Sequence, residues 1–159
     1  MRHTDVRGFT VVELMVGVAI VGILIAAAVP NLRSYRESQR MSSACDRISA
    51  MCRAARATAR SQNHQVIITY DTSNDEVAVH EDADDDGIVD GGENVQTFAM
   101  PSGVFLDSST FTNNALVFNN RGRCVEGGSV IVDGLEHVDQ KRIRVSAGTG
   151  HVKVLGVTP

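Results

Sequence analysis

The sequence predicts an α+β protein in which one long N-terminal α-helix packs on an antiparallel β-sheet. Three observations lead there. From Phe9 to Val29 the chain reads FTVVELMVGVAIVGILIAAAV, 21 residues carrying the single charge of Glu13. Residues 31–61 then contain neither Gly nor Pro and repeat their apolar residues at helical spacing. Past Asn63 the pattern gives way to short β-rich runs separated by Gly, Asn and Asp.

The first stretch is long enough to matter by itself. An α-helix rises about 1.5 Å per residue, so residues 9–29 reach across a bilayer core of about 30 Å. A cleaved secretory signal would use Arg2 and Arg7 as its basic region and Ala26–Ala28 near its cleavage site. Pro30 close behind and Glu13 inside the apolar run both oppose that reading. A plain membrane anchor explains the length but not the carboxylate. A charge at a helix centre costs about 2.5–3.5 kcal/mol on insertion scales, so an acid there has a partner or a task.

Residues 31–61 carry Leu32, Tyr35, Met41, Ala44, Cys45, Ile48, Met51, Cys52, Ala55 and Ala59; from Ala44 onward the spacing marks one helical face, and the seven Arg of residues 33–60 largely occupy the other. Pro30 pushes Val29 away from α geometry, which predicts a kink rather than a stop. The result is one helix of some fifty residues, its first half in the membrane and its second half amphipathic. Strands are predicted at 65–70, 76–80, 94–99, 115–118, 129–133, 142–146 and 151–155, several with the alternation of half-buried strands.

The third reading of the N-terminus rests on Gly8-Phe9-Thr10-Val11-Val12-Glu13-Leu14. This heptapeptide resembles the class III leader junction of type IV pilins and type II secretion pseudopilins. The resemblance implies a pilin fold, with residues 1–8 as prepilin leader. Residues 9–29 would be the transmembrane and assembly half of the helix. Residues 30–159 would be its amphipathic half plus a β-sheet globular domain. It implies that prepilin peptidase cuts between Gly8 and Phe9, that the new amine is N-methylated, and that Pro30 sits at the family's kinking position. It also implies that Glu13 meets a neighbouring subunit's N-terminal amine. In a low-dielectric bundle the two groups relieve each other's burial cost.

Three later segments resemble the GspH/FimT type of minor pilin and minor pseudopilin. They are Ala54-Ala55-Arg56-Ala57-Thr58-Ala59-Arg60, Phe98-Ala99-Met100-Pro101-Ser102-Gly103, and Arg142-Ile143-Arg144-Val145-Ser146 followed by Gly150. The expected function is a subunit that primes or caps a type IV pilus or a type II secretion pseudopilus. Its partners would be other pilins or pseudopilins, the inner-membrane assembly platform, prepilin peptidase and the lipid bilayer. The expected location is the inner membrane, single-pass, with the globular domain outside the cytoplasm, and afterwards the filament. No enzymatic site is visible: the histidines lie far apart in sequence, without metal-ligand spacing. The alternative is a DNA-binding minor pilin for natural transformation. Arg142, Arg144 and Lys153 would be its contacts, although Gly150-His151-Val152-Lys153 departs from that group's Gly-Arg-x-Arg motif at both basic positions.

The strongest internal motif is Asp82-Ala83-Asp84-Asp85-Asp86-Gly87-Ile88-Val89-Asp90-Gly91-Gly92-Glu93. It matches the twelve-residue EF-hand loop, with Asp82, Asp84, Asp86, Asp90 and Glu93 at ligand positions and Gly87 at the sharp turn. The Ile88 carbonyl would supply the backbone ligand to Ca²⁺; the competing reading is a solvated acidic hairpin tip. Composition adds limits. Net charge is −4 with 43% hydrophobic residues, no Trp and three Pro, which excludes collagen-like, proline-rich and strongly disordered classes. Three cysteines are too few for a disulfide scaffold. Cys45 and Cys52 stand roughly 10 Å apart along the helix, too far to bridge. Cys124 lies in a Gly-rich loop and leaves two readings open: a disulfide to Cys52 or Cys45, or three free thiols.

Overall fold

The computed structural model describes residues 9–84, 86, 87, 93–135 and 140–157, with the backbone alone for 28–34. The chain divides into two compact units, Met1–Arg36 and Glu37–Pro159. Helix α1 (Val11–Gln62) supplies residues to both and is continuous in its backbone. It ends because Asn63 adopts a left-handed conformation, φ +60°, which halts the helical ladder at a residue type that tolerates it.

In the second unit the predicted helical face is the buried one. Met41, Ala44, Cys45, Ile48, Cys52, Ala55 and Ala59 all lie in the core, with Met51 at its margin. The β-rich runs form two sheets rather than the single sheet expected. The first has the order β3-β2-β1-β5, from β1 (Gln65–Asp71), β2 (Glu76–Asp82), β3 (Val95–Ala99) and β5 (Ala115–Phe118). The second has the order β4-β6-β7-β8, from β4 (Val104–Ser109), β6 (Gly128–Gly134), β7 (Gln140–Val145) and β8 (Val152–Val157). Every pairing is antiparallel.

The extra strand β4 explains the division. Its sequence, VFLDSS, alternates only across Val104 and Leu106 before turning polar, so it gives a weak strand signal. The chain leaves the first sheet after β3, forms β4 in the second, and returns through a 3-10 turn at Thr112–Asn114 to β5. Val66, Ile68, Tyr70, Val77, Leu116 and Phe118 from the first sheet join Leu106, Val130, Val132, Ile143 and Val145 from the second. Together with the helix face they make one core, closed in part by Phe111 stacked on Tyr70 at 5.6 Å between ring centroids.

Polar ties fix the helix on this core. Lys141 Nζ donates to Ser42 Oγ at 2.6 Å, Arg56 Nε to the Gly122 carbonyl at 3.1 Å, and the Arg47 guanidinium lies 5.8 Å from the Phe98 ring centroid. Arg40 Nη1 reaches the Ser102 carbonyl at 3.4 Å. The helix arginines are thus partly spent on holding sheet and loops.

All three cysteines are buried free thiols, so the disulfide from Cys124 to Cys52 or Cys45 is not formed. The geometry gives the reason. Cys124 Sγ donates to the Glu126 carbonyl at 2.9 Å, while Cys52 Sγ lies 3.6 Å from the Tyr70 hydroxyl. Burial pushes the Cys45 and Cys52 thiols up to about 11. At pH 8 the reactive thiolate is therefore only about a thousandth of the thiol. Iodoacetamide at pH 8 should leave Cys45 and Cys52 unmodified in the folded protein and, without reductant, label all three cysteines once urea unfolds it. Mass spectrometry finding fewer than three labels on the unfolded chain would reveal a disulfide and contradict the free-thiol state.

Candidate functional site

The helix start is built from four residues. Thr10 precedes α1 and Glu13 closes its first turn, and the two bond reciprocally. Thr10 N–H and Thr10 Oγ1 donate to Glu13 Oε2 at 3.0 and 3.1 Å, and Glu13 N–H donates back to Thr10 Oγ1 at 3.2 Å. This is a capping box, which satisfies backbone donors that the first turn leaves orphaned. The Thr-x-x-Glu spacing was there to be read in the sequence, and Thr10 is the functional residue that sequence reasoning passed over. Both Thr10 bonds end on Oε2, leaving Glu13 Oε1 without a hydrogen bond among the described residues.

Around this carboxylate the helix is apolar on every side. The large hydrophobic residues from Phe9 to Ile25 are 53–86% exposed in the subunit. A helix apolar all round is stable only when lipid or other helices cover it. Among the described residues no helix is long and apolar enough to cross a membrane. The apolar run of residues 9–29 ends within 28–34, where no side chain is described. Gly8 lies outside the described residues, as do the Pro30 side chain and the kink expected there.

A second site lies at the end of β2. Asp82 is buried, and its carboxylate organises the turn that follows. Oδ1 accepts the Asp86 N–H at 3.1 Å, and Oδ2 accepts the Gly87 N–H at 2.9 Å and Gln65 Nε2 at 3.0 Å. Gly87 has φ +79°, a conformation for which a residue without Cβ is suited. Glu93 Oε1 accepts the Ala83 N–H at 3.0 Å, which closes the loop's base. Carboxylate oxygens of Asp82, Asp84 and Asp86 lie within 4.8 Å of one another. Local desolvation, then the charge of Asp86, raises the pKa of the exposed Asp84 carboxyl from its ordinary value. An all-oxygen, all-carboxylate set of this kind fits a hard divalent cation. Asp90 and Ile88 lie outside the described residues.

The predicted basic contacts also come together. Register pairs Arg144 of β7 with Lys153 of β8, and Arg142 lies two residues along on the same exposed face. The histidines stay apart in their roles. His80 Nε2 bonds Thr69 Oγ1 at 3.0 Å inside the first sheet, and burial lowers its pKa. His137 is outside the described residues.

The chain matches the family model described as type II transport protein GspH over residues 44–149, and the prokaryotic N-terminal methylation motif over residues 4–29. A fimbrial protein of Pseudomonas aeruginosa is 43% identical over 49 residues, 31% of this chain and 32% of that protein. The type IV major pilin protein PilA of Myxococcus xanthus is 41% identical over 51 residues, 32% of this chain and 23% of that protein. The chain thus spans at most about a third of these relatives' length. In structure it is similar to the minor pseudopilin EpsH from the type 2 secretion system of Vibrio cholerae. There the TM-score is 0.58 at 13% identity, over 74% of this chain and 97% of that one. The type IV minor pilin FimU of Pseudomonas aeruginosa matches equally well, with TM-score 0.58 at 14% identity, over 76% and 92% of the two chains.

Proposed function

The chain belongs to the GspH family, and from that premise we propose that it is a minor pilin or minor pseudopilin. It is stored in the inner membrane by the first half of α1 and drawn from there into a type IV pilus or type II secretion pseudopilus, which it primes or caps. One observation carries this reading: a capped carboxylate, Glu13, in a helix whose apolar side chains are exposed all round. Prepilin peptidase would remove residues 1–8, leaving a methylated amine on Phe9. In lipid, the pairing with Thr10 offsets part of the cost of holding Glu13 among hydrocarbon. Glu13 Oε1 remains to accept from the amine of a neighbouring subunit. That contact strengthens in the low dielectric of a packed helix bundle. Partners follow from the same chemistry: other pilins or pseudopilins, the assembly platform and the bilayer. The globular unit would lie outside the cytoplasm, and the subunit acts by assembly rather than catalysis.

We also propose that Ca²⁺ occupies the loop 82–93. Asp82, Asp84 and Asp86 would hold it, with the Ile88 carbonyl, Asp90 and Glu93 completing the set by their loop positions. The ion would supply charge neutralisation for clustered acids and pin the loop between β2 and β3.

Gly8→Val should block leader removal, because the peptidase site requires the smallest residue there. Membrane fractions should then contain only full-length mass, and efficient processing of that variant would contradict the reading. Glu13→Val should preserve membrane insertion yet remove the chain from sheared filaments. Incorporation at the wild-type level would contradict the role given to Glu13.

Calcium binding to the folded form alone adds stability of RT ln(1 + [L]/Kd), about 2.7 kcal/mol at a hundredfold excess over Kd. Millimolar Ca²⁺ should therefore raise the melting temperature measured in EDTA, and Mg²⁺ should do so less, since it demands tighter octahedral geometry. Asp84→Ala should abolish the increment, while Asp85→Ala, at a non-ligand loop position, should keep most of it. Identical melting curves with EDTA and Ca²⁺ would return the loop to a plain acidic turn.

A further inference from the structure

The outer strands of a sheet leave half of their backbone groups unpaired, and two of the outer strands here are backed by the chain itself. Behind β5, Val125 N–H donates to the Val117 carbonyl at 3.0 Å and Cys124 forms a β-bridge with Phe118. On β4, Leu106 N–H donates to Asp75 Oδ1 at 2.8 Å. Strand β8 is different. Ser146 N–H donates to the His151 carbonyl at 3.0 Å, which makes these two a hydrogen-bonded pair. Alternation along the ladder then puts Lys153, Leu155 and Val157 in hydrogen-bonded pairs with Arg144, Arg142 and Gln140. The backbone N–H and C=O groups of Val152, Val154 and Gly156 therefore point away from β7. Among the described residues no other group bonds to them.

The side chains of this edge are of two kinds. On the core-facing side, Val154 stands opposite buried Ile143 yet is 38% exposed, an apolar group at the open margin of the sheet. On the other side, Lys153 stands opposite Arg144, with Arg142 two residues along, and all three are exposed. Like charges directly opposed across a ladder repel, and among the described residues none of the three is paired with a carboxylate. A strand added beyond β8 would face Lys153 in a non-hydrogen-bonded pair, with Cα atoms about 4.5 Å apart and side chains at their closest. An acid at that place relieves the repulsion, and an apolar residue one step along covers Val154.

We infer that β8 pairs edge to edge with an extended segment of a different filament subunit, one in which apolar residues alternate with carboxylates. Backbone pairing gives the contact its strength, and the row of Lys153 with Arg144 chooses the partner. A second copy is the wrong occupant, since its β8 would bring a further Lys153 to a face that already carries three cations. The outer strand of the first sheet, β3, holds only Val95, Gln96, Thr97, Phe98 and Ala99 and has no charge to select by. The inference deepens the filament-subunit reading and rests on it: a subunit that primes or caps must grip a neighbour unlike itself.

The test uses the full chain in its native membrane, with a benzophenone amino acid at Leu155. Irradiation should give an adduct with another pilin-like subunit, whose linked peptide alternates apolar residues with Asp or Glu. Gly156→Pro should cut that adduct about tenfold, because Pro removes an outward N–H and its ring blocks an incoming strand. A Cβ at Gly156 meets nothing within 4 Å, and the ladder to β7 does not use that N–H, so the subunit itself keeps its fold. Lys153→Glu leaves the backbone alone and should cut the adduct about threefold, with recovery when the facing acid of the linked peptide is changed to Lys. An adduct indifferent to both changes, or one formed with a second copy, lipid or nucleic acid, would overturn the pairing. The same sample reads leader removal and filament content. No adduct from a processed, filament-borne chain overturns the pairing alone. An unprocessed chain missing from filaments overturns the reading beneath it as well.

Discussion

One helix has to satisfy two solvents, and the rest of the molecule follows from that constraint. In its first half α1 is apolar on all sides, so it has no inward face and needs lipid or other helices around it. In its second half the apolar residues collapse to one stripe, which demands a partner surface in the same chain. The sheets supply that surface. Glu13 is the one charge in the first half, and its capping box with Thr10 keeps it tolerable there without cancelling it.

The stripe in the second half is made mostly of small residues, Ala44, Cys45, Cys52, Ala55 and Ala59, with Met41 and Ile48 among them. Small side chains let backbones approach, so two sheets reach the same helix and meet over it. Tyr70, Phe111 and Phe118 fill the space that the helix leaves. The chain's switch from β3 to β4 and back to β5 binds the two sheets covalently and topologically.

How much of this was legible in the sequence depends on how local each signal is. The apolar run, the amphipathic stripe and seven of the eight strands were legible, because each is a periodicity within a short window. Strand β4 was not, since Asp107, Ser108 and Ser109 mask its apolar start. Its pairing with β6 is a long-range fact that no local pattern encodes. The acid spacing of residues 82–93 was readable, but Gln65 bonding Asp82 was not, because only the β1–β2 register brings residues 17 apart in sequence together. The Arg-rich helix looked like one basic surface. Three of its arginines, Arg40, Arg47 and Arg56, instead reach loops and a ring of the sheet region. The disulfide expectation failed for a related reason: cysteine count and compartment are sequence properties, whereas the direction of the Cys124 side chain is set by its bond to the Glu126 carbonyl.

The central claim is that Glu13, capped by its own Thr10 through Oε2, offers its other oxygen, Oε1, to a neighbour's amine on assembly. Cryo-electron microscopy of a filament containing this chain, at a resolution that shows side chains, tests it directly. The account predicts the Phe9 amine of an adjacent subunit within hydrogen-bond distance of Glu13. A filament in which Glu13 still faces only its own Thr10, with no cation beside it, would contradict the account.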